Sequence, residues 1–278
     1  MTELYSHSRL NTFENCRKQF EFRYILDLPE DSEGVEAFVG KRVHEVLERL
    51  YEFVGREQVP SLNKVIDRYK TNFEEHYNPE RIRIVKSGLD KKFYLDLGIR
   101  CLSHFYRRHY PFDADETLGL EERVIFDLDP KGEYAMQGIV DRIVRARDGA
   151  IEIQDYKTGA YIPSQKKLDS DRQLALYQIG VAEQYGNDQP IRLVWHYLAK
   201  DRTCTSTRTP EELAALKTEV IGLIDEIRAT REFPAKKNRL CDWCGYKRFC
   251  PAFGGTTPEP RANQPAAEAD SPLPVEAS

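Results

Sequence analysis

Gln154-Asp155-Tyr156-Lys157-Thr158-Gly159 is the stretch on which the reading of this chain turns. Residues 150–157 alternate in character and run into Gly159, the pattern of a short strand that ends in a turn. The two-residue spacing puts Asp155 and Lys157 on one face of that strand. A carboxylate beside an ammonium is by itself an ordinary ion pair. Its meaning depends on what the rest of the chain brings to it.

Immediately upstream, residues 120–128 and 135–146 alternate in the same way. The connections Asp129-Pro130-Lys131-Gly132 and Arg147-Asp148-Gly149 are short, which favours antiparallel pairing of the three strands. Asp141 lies inside the middle strand and shares a face with Ile139 and Ile143. Adjacent strands carrying Asp141, Asp155 and Lys157 bring two carboxylates and a cation together. Hard oxygen donors of this kind suit Mg²⁺ or Mn²⁺. A divalent ion so held lowers the pKa of water and stabilises charge on a phosphate. Lys157 then orients or deprotonates the water, or stabilises the transition state.

Helical periodicity places further candidates. A helix over about 36–54 has the apolar stripe Val39, Val43, Val46, Leu47, Leu50 and Val54, with His44 beside it and Gly40 one turn earlier. His44 reads either as a core histidine or as a ligand that completes a metal shell. Gln173 and Tyr177 are four apart, hence on one face of a helix capped by Asp169 or Ser170 and running to about Tyr185. Helices are also expected over 6–26, over 61–77 with Ser61 as cap, and over 88–109. Another runs from the capping box Thr209-Pro210-Glu211-Glu212 to about Arg231. Strands are expected over 191–198 and 203–207. The helix over 88–109 interleaves Tyr94, Phe105 and Tyr106 with Arg107 and Arg108. That pattern reads as core, or as a groove for single-stranded nucleic acid.

Cys241, Cys244 and Cys250 stand in C-x2-C-x5-C spacing. The N-terminus lacks the apolar core of a signal peptide, so the expected compartment is the cytoplasm, where thiols stay reduced and a metal is the better reading than disulfides. A closed site needs a fourth ligand, and Cys16, Cys101 and Cys204 are the candidates. Both Zn²⁺ and a 4Fe-4S cluster accept four thiolates, and the spacing fits either.

The chain has 278 residues, room for one large domain or two small ones, and is 40% hydrophobic and 31% charged, with no apolar run long enough to span a membrane. Its net charge of −5 hides an uneven distribution: Glu259, Glu268, Asp270 and Glu276 against Arg261 make residues 254–278 an acidic, Pro/Ala-rich segment expected to be disordered. Positive charge clusters at Arg81, Arg83, Lys86, Lys91, Lys92, Arg100, Arg107 and Arg108, and again at Lys236, Lys237, Arg239, Lys247 and Arg248. Such clusters are solvated faces or phosphate tracks.

Five motifs in order, Gly40-x3-His44, Gly138-Ile139-Val140-Asp141-Arg142, Asp155-Tyr156-Lys157-Thr158-Gly159, Gln173-x3-Tyr177 and the cysteines, resemble the RecB-type branch of the PD-(D/E)XK nuclease superfamily. Cys16 with Cys241, Cys244 and Cys250 is similar to its iron–sulfur subset, which includes the CRISPR-associated RecB-like exonucleases ("Cas four") and the nuclease domain of AddB. The resemblance covers residues 4–253. It implies an α/β, restriction-endonuclease-like mixed sheet flanked by helices, with an N-terminal helical part and a C-terminal cysteine-cluster clasp. It implies one nuclease domain over 1–253, with a core of about 36–54 plus 118–200, a helical insert of about 55–112 and cluster-binding ends at 4–26 and 232–253.

The same resemblance implies His44, Asp141 and Asp155 as metal ligands, with the Tyr156 backbone carbonyl as a further one. Lys157 becomes the catalytic lysine, Gln173 and Tyr177 the residues that position it and the DNA, and Cys16 the remote cluster ligand. A further acid of the family falls on Glu121 or Glu122, and strand alternation admits only one of them. The expected activity is Mg²⁺- or Mn²⁺-dependent hydrolysis of DNA, most simply exonucleolytic on single-stranded or free ends. The setting would be repair, recombination, phage DNA metabolism or CRISPR spacer acquisition, with a recombination, helicase or adaptation partner. No G-x4-G-K-[ST] phosphate loop is present, so a nuclease without a fused motor is expected. The competing reading is a catalytically silent iron–sulfur module that binds DNA or a partner on the same fold.

Overall fold

Where the chain alternates it forms strands, and where it repeats at three to four residues it forms helices. A computed structural model describes residues 3–186 and 189–258. The elements run β1 (Leu4–Ser6), α1 (His7–Asn15), α2 (Arg17–Phe20), β2 (Glu33–Gly34), α3 (Val35–Val54), α4 (Leu62–His76), β3 (Ile82–Arg83), α5 (Lys91–His109), β4 (Asp115–Asp127), β5 (Ala135–Ala146) and β6 (Ile151–Lys157). They continue with α6 (Gln165–Asp169), α7 (Arg172–Tyr185), β7 (Ile191–Tyr197), β8 (Arg202–Ser206) and α8 (Pro210–Ala229), followed by short 3₁₀ turns through the cysteine segment. Of the segment expected to be disordered, residues 259–278 lie outside the described residues.

The sheet is mixed, in the order β1-β5-β6-β7-β8, with β4 on the other edge of β5. β4, β5 and β6 pair antiparallel, as the short turns require. β6 and β7 are parallel, so the chain crosses over between them through α6 and α7. Helices cover both faces. Phe13, Leu174 and Ile224 from α1, α7 and α8 pack against Ile151, Ile153, Leu193 and Trp195. On the opposite face Val43, Leu47, Tyr69 and Phe105 from α3, α4 and α5 close over Tyr156. Tyr94, Phe105 and Tyr106 are buried there, so these three aromatic residues of α5 are core and not a stacking groove.

Several expectations are corrected. The helix expected over 6–26 breaks at Cys16, whose backbone is extended (φ −161°, ψ 107°), and resumes as α2 and a π-helical turn over Glu21–Ile25. Ser61 makes no side-chain cap bond to α4. The cap of α7 is Asp171, whose carboxylate accepts from the Leu174 N–H, while Asp169 is drawn away to Ser206 and Gln165. β4 begins at Asp115, earlier than its alternation suggests. β1 has only three residues, too few to show a period. It exists because β5 leaves Ala135–Gln137 open for parallel pairing.

One buried cation pins the centre of this arrangement. Arg142 on β5 is 1% exposed, lies 3.5 Å over the Tyr51 ring of α3, and donates to the Asp115 carboxylate, to Thr117 Oγ1 (3.0 Å) and to Gln154 Oε1 (3.3 Å). It thereby ties α3, β4, β5 and β6 together. Removing one partner of a buried charge strands the other in a poor solvent. Asp115→Ala is expected to lower the unfolding free energy in urea by about 3 kcal/mol. Asp113→Ala, in an exposed pair with Arg147, should leave the midpoint in place.

Candidate active site and cysteine clasp

His44 sits at the edge of the buried stripe of α3 and reaches the sheet at the C-terminal end of β6. Its Nε2 is 2.9 Å from the Tyr156 carbonyl oxygen. A carbonyl only accepts, so Nε2 carries the hydrogen and Nδ1 turns the other way. Nδ1 lies 3.5 Å from Asp141 Oδ1 and 3.8 Å from Glu121 Oε1. One donor atom from each of His44, Glu121 and Asp141 falls within 4.8 Å of the other two, and among the described residues no other set of three His, Cys, Asp or Glu donors does so.

Local strand geometry builds that set. The β5–β6 ladder stops at Arg142↔Gln154. One residue further, Asp141 Oδ2 accepts the Tyr156 N–H at 2.7 Å, replacing a backbone partner and leaving Oδ1 for the site. On β4 the register Leu120↔Arg142 and Glu122↔Val140 sets Glu121 opposite Asp141. Glu121 adopts φ +43°, a left-handed conformation. Glu122 faces elsewhere and accepts from Tyr185 Oη (3.2 Å) and Gln184. The choice that alternation leaves open therefore falls to Glu121.

The electrostatics of the set call for a cation. Burial lifts the Glu121 carboxyl to about 7, and the Asp141 charge adds to this. Burial disfavours a charged His44, but Asp141 and then Glu121 and Asp155 outweigh it and raise the ring to about 9. Two carboxylates and an imidazole nitrogen converging on one point is a donor set that fits a divalent ion.

Asp155 stands outside this tight group, although the sequence pairs it with Asp141. Lys157 Nζ lies 2.9 and 2.8 Å from its two oxygens. The ammonium donates to Oδ1 and is ion-paired with the buried Oδ2. Burial pushes the Asp155 pKa up despite the neighbouring ammonium. Burial also works against the charge on Lys157, but Asp155 more than compensates and raises its pKa. Lys157 Nζ donates to Gln173 Oε1 (3.3 Å), and Gln173 Nε2 donates to Tyr177 Oη (3.3 Å). The Tyr177 ring presses on Gly138, where a Cβ would stand 2.1 Å from its Cε1. A side chain at 138 would displace the ring that braces Gln173.

The extended backbone at Cys16 brings that residue to a cavity lined also by Cys241, Cys244 and Cys250. Cys101 is buried among α3–α5 and Cys204 packs against the other core, so neither belongs to it.

The cysteine segment is held on two sides. Asn238 Nδ2 donates to Asn15 O (3.0 Å), at the end of α1. Trp243 Nε1 donates to Glu36 Oε2 (3.0 Å) at the start of α3, where Tyr94 Oη also donates to Glu36 Oε1 (2.9 Å). Gly34 allows the close approach, since a Cβ there would lie 2.8 Å from the Trp243 ring. Motif order and spacing miss this second attachment. Its signal in the sequence is a tryptophan between two cysteines, whose indole N–H needs an acceptor once covered. Of the first basic cluster, Lys86, Lys91, Lys92 and Arg108 are paired with Glu36, Glu74, Asp96 and Asp201.

Residues 5–251 match the model of the PD-(D/E)XK nuclease superfamily. One of the subunits of the ATP-dependent helicase/deoxyribonuclease of Streptococcus agalactiae, in strains of serotypes Ia, V and III, is 29% identical over 159 residues. The match takes in 56% of this chain but spans only 14% of the length of those relatives. A crystal structure from Eubacterium rectale, described as a "Putative exonuclease", aligns over 86% of this chain and 92% of its own with a TM-score of 0.47 and 13% identity.

The geometry separates the two glutamates experimentally. Glu121→Gln is expected to weaken Mn²⁺ binding at least about tenfold in calorimetric titration, and Glu122→Gln to leave it unchanged. The reverse order would remove Glu121 from the site.

Proposed function

Because the chain belongs to the PD-(D/E)XK nuclease superfamily, we propose that it hydrolyses DNA phosphodiester bonds with Mg²⁺ or Mn²⁺ bound at His44, Glu121 and Asp141, acting as an exonuclease on single-stranded ends. The observation that carries this reading is the convergence of those three donors beside the Asp155–Lys157–Gln173 chain of contacts. A bound divalent ion would supply Lewis acidity and a nucleophilic water.

The chain's own residues do the rest. Asp141 and Glu121 bind the ion through carboxylate oxygens, and His44 through Nδ1, with its tautomer held by the Tyr156 carbonyl. Asp155 stands beside this group, paired with Lys157, and keeps the lysine charged. Lys157 presents its ammonium to the attacked phosphate and water, where negative charge grows in the transition state. Gln173 and Tyr177 fix the lysine and line the path of the DNA.

The cysteines serve structure. Cys16, Cys241, Cys244 and Cys250 line one cavity and would hold a 4Fe-4S cluster, with a structural Zn²⁺ as the alternative. This supports one nuclease unit over 1–253, closed by its two ends. No helix among the described residues is long and apolar enough to cross a membrane, and we place the protein in the cytoplasm. The streptococcal relatives are helicase/deoxyribonuclease subunits, which favours a helicase partner in repair or recombination over CRISPR spacer acquisition or phage DNA metabolism.

End-labelled single- and double-stranded DNA incubated with Mg²⁺, Mn²⁺ or EDTA tests the reading. Single strands should be degraded from an end with either metal and remain intact in EDTA. Asp155→Ala and Lys157→Ala should each lower the rate by at least about 100-fold with unchanged circular dichroism. Undiminished cleavage by either variant would sink the mechanism. For the clasp, anaerobically purified protein should be brown, and Cys16→Ser should bleach it and lower its thermal midpoint. A colourless wild-type protein with one zinc per chain would reverse the assignment.

A further inference from the structure

The cleft beside Lys157 has features that the hydrolytic centre leaves unused. It is open, about 930 Å³, and Tyr161 and Lys167 line it together with Lys157 and Gln173. Tyr161 is 69% exposed, the most exposed large hydrophobic side chain among the described residues. Lys167 is exposed and makes no ion pair among the described residues, whereas Lys86 and Arg172 on the same cleft are paired with Glu36 and Glu14. Its Nζ lies 6.0 Å from the centre of the Tyr161 ring.

Lys167 is firmly supported. Lys167 belongs to α6, a helix of five residues that has no stability of its own. Three side chains fasten it to β8 and the segment that follows. Gln165 Nε2 donates to Thr205 O (2.9 Å), Ser206 Oγ to Asp169 Oδ1 (2.7 Å), and the Arg208 guanidinium to Leu168 O (2.8 Å). Leu168 is buried beneath. A helix so short, fixed at both ends, holds the Lys167 ammonium at the mouth of the site, and the open Tyr161 ring stands in the segment that leads into it. A ring and a cation beside each other are what one nucleotide of a single strand requires, a face for its base and a charge for its phosphate.

We infer that Tyr161 and Lys167 form a nucleotide subsite, in which Tyr161 stacks on an unpaired base and Lys167 pairs with a phosphate of a single strand laid along the cleft toward Lys157. This rests on the nuclease reading above and adds the source of its strand preference. In a duplex both faces of a base are covered by its neighbours, so the ring has nothing to stack on unless the base is first pulled out. Tyr161 therefore selects unpaired DNA, and Lys167 adds affinity without sequence preference.

Fluorescence anisotropy of the full chain in EDTA, with end-labelled oligothymidine and a blunt duplex as probes, reads binding apart from cleavage. Tyr161→Ala should weaken oligothymidine binding by about tenfold, Tyr161→Phe should bind as wild type does, and neither should alter duplex binding. Lys167→Gln should reduce the slope of log Kd against log salt by about 0.7. Wild-type affinity of Tyr161→Ala for oligothymidine, equal losses on single strand and duplex, or a Phe variant no better than Ala would each overturn the subsite. Wild-type protein that shows the Tyr161 effect but degrades no DNA with Mn²⁺ would overturn the hydrolytic reading and leave the subsite standing. Cleavage combined with binding insensitive to Tyr161 would do the opposite.

Discussion

One oxygen of Asp141 holds the Tyr156 N–H, and the other faces His44 and Glu121. Much of the site follows from that division. A backbone N–H in a sheet must find an acceptor, and here a side chain supplies it at the point where the β5–β6 ladder ends. The two strands are released from each other without an orphaned donor. The carboxylate that performs this structural task is also committed, by the same bond, to one orientation in the site. The end of the ladder and the orientation of that carboxylate are therefore linked by one contact of 2.7 Å.

The released edge of β5 is used immediately. Gly138 stands on it, and the missing side chain is the space that the Tyr177 ring occupies. From there the contacts run through Gln173 to Lys157 and return to Asp155. The lysine is thus braced between a helix and a strand, on the cleft that Tyr161 and Lys167 also line. Buried Arg142 on the same strand anchors the opposite side of the sheet to α3, so the helix that carries His44 is tied to the strand that carries Asp141.

The cysteine clasp acts on the same helix from its other end. Trp243 and Tyr94 share the two oxygens of Glu36, two turns before His44 on α3. Cys16 approaches from the break between α1 and α2. The clasp consequently joins the first helices, the cysteine segment and the start of α3. A cluster in that cavity would bear on the position of His44 through a rigid helix, and not merely hold two chain ends together.

Period and spacing were sufficient for most of the architecture. The alternation of 135–146 and 150–157, the short turns between strands, the stripe of α3 and the Thr209 capping box are local properties, and local properties are written in consecutive residues. The order of His44, Asp141, Asp155, Lys157, Gln173 and Tyr177 was readable for the same reason. What consecutive residues do not carry is which groups meet after the chain closes. Glu121 was chosen over Glu122 by a left-handed backbone turn opposite Asp141, Cys16 over Cys101 and Cys204 by a kink that breaks a helical pattern, and β1 by an edge that β5 left unpaired. Each of those choices depends on a partner more than a dozen residues away, and only packing brings such partners within reach.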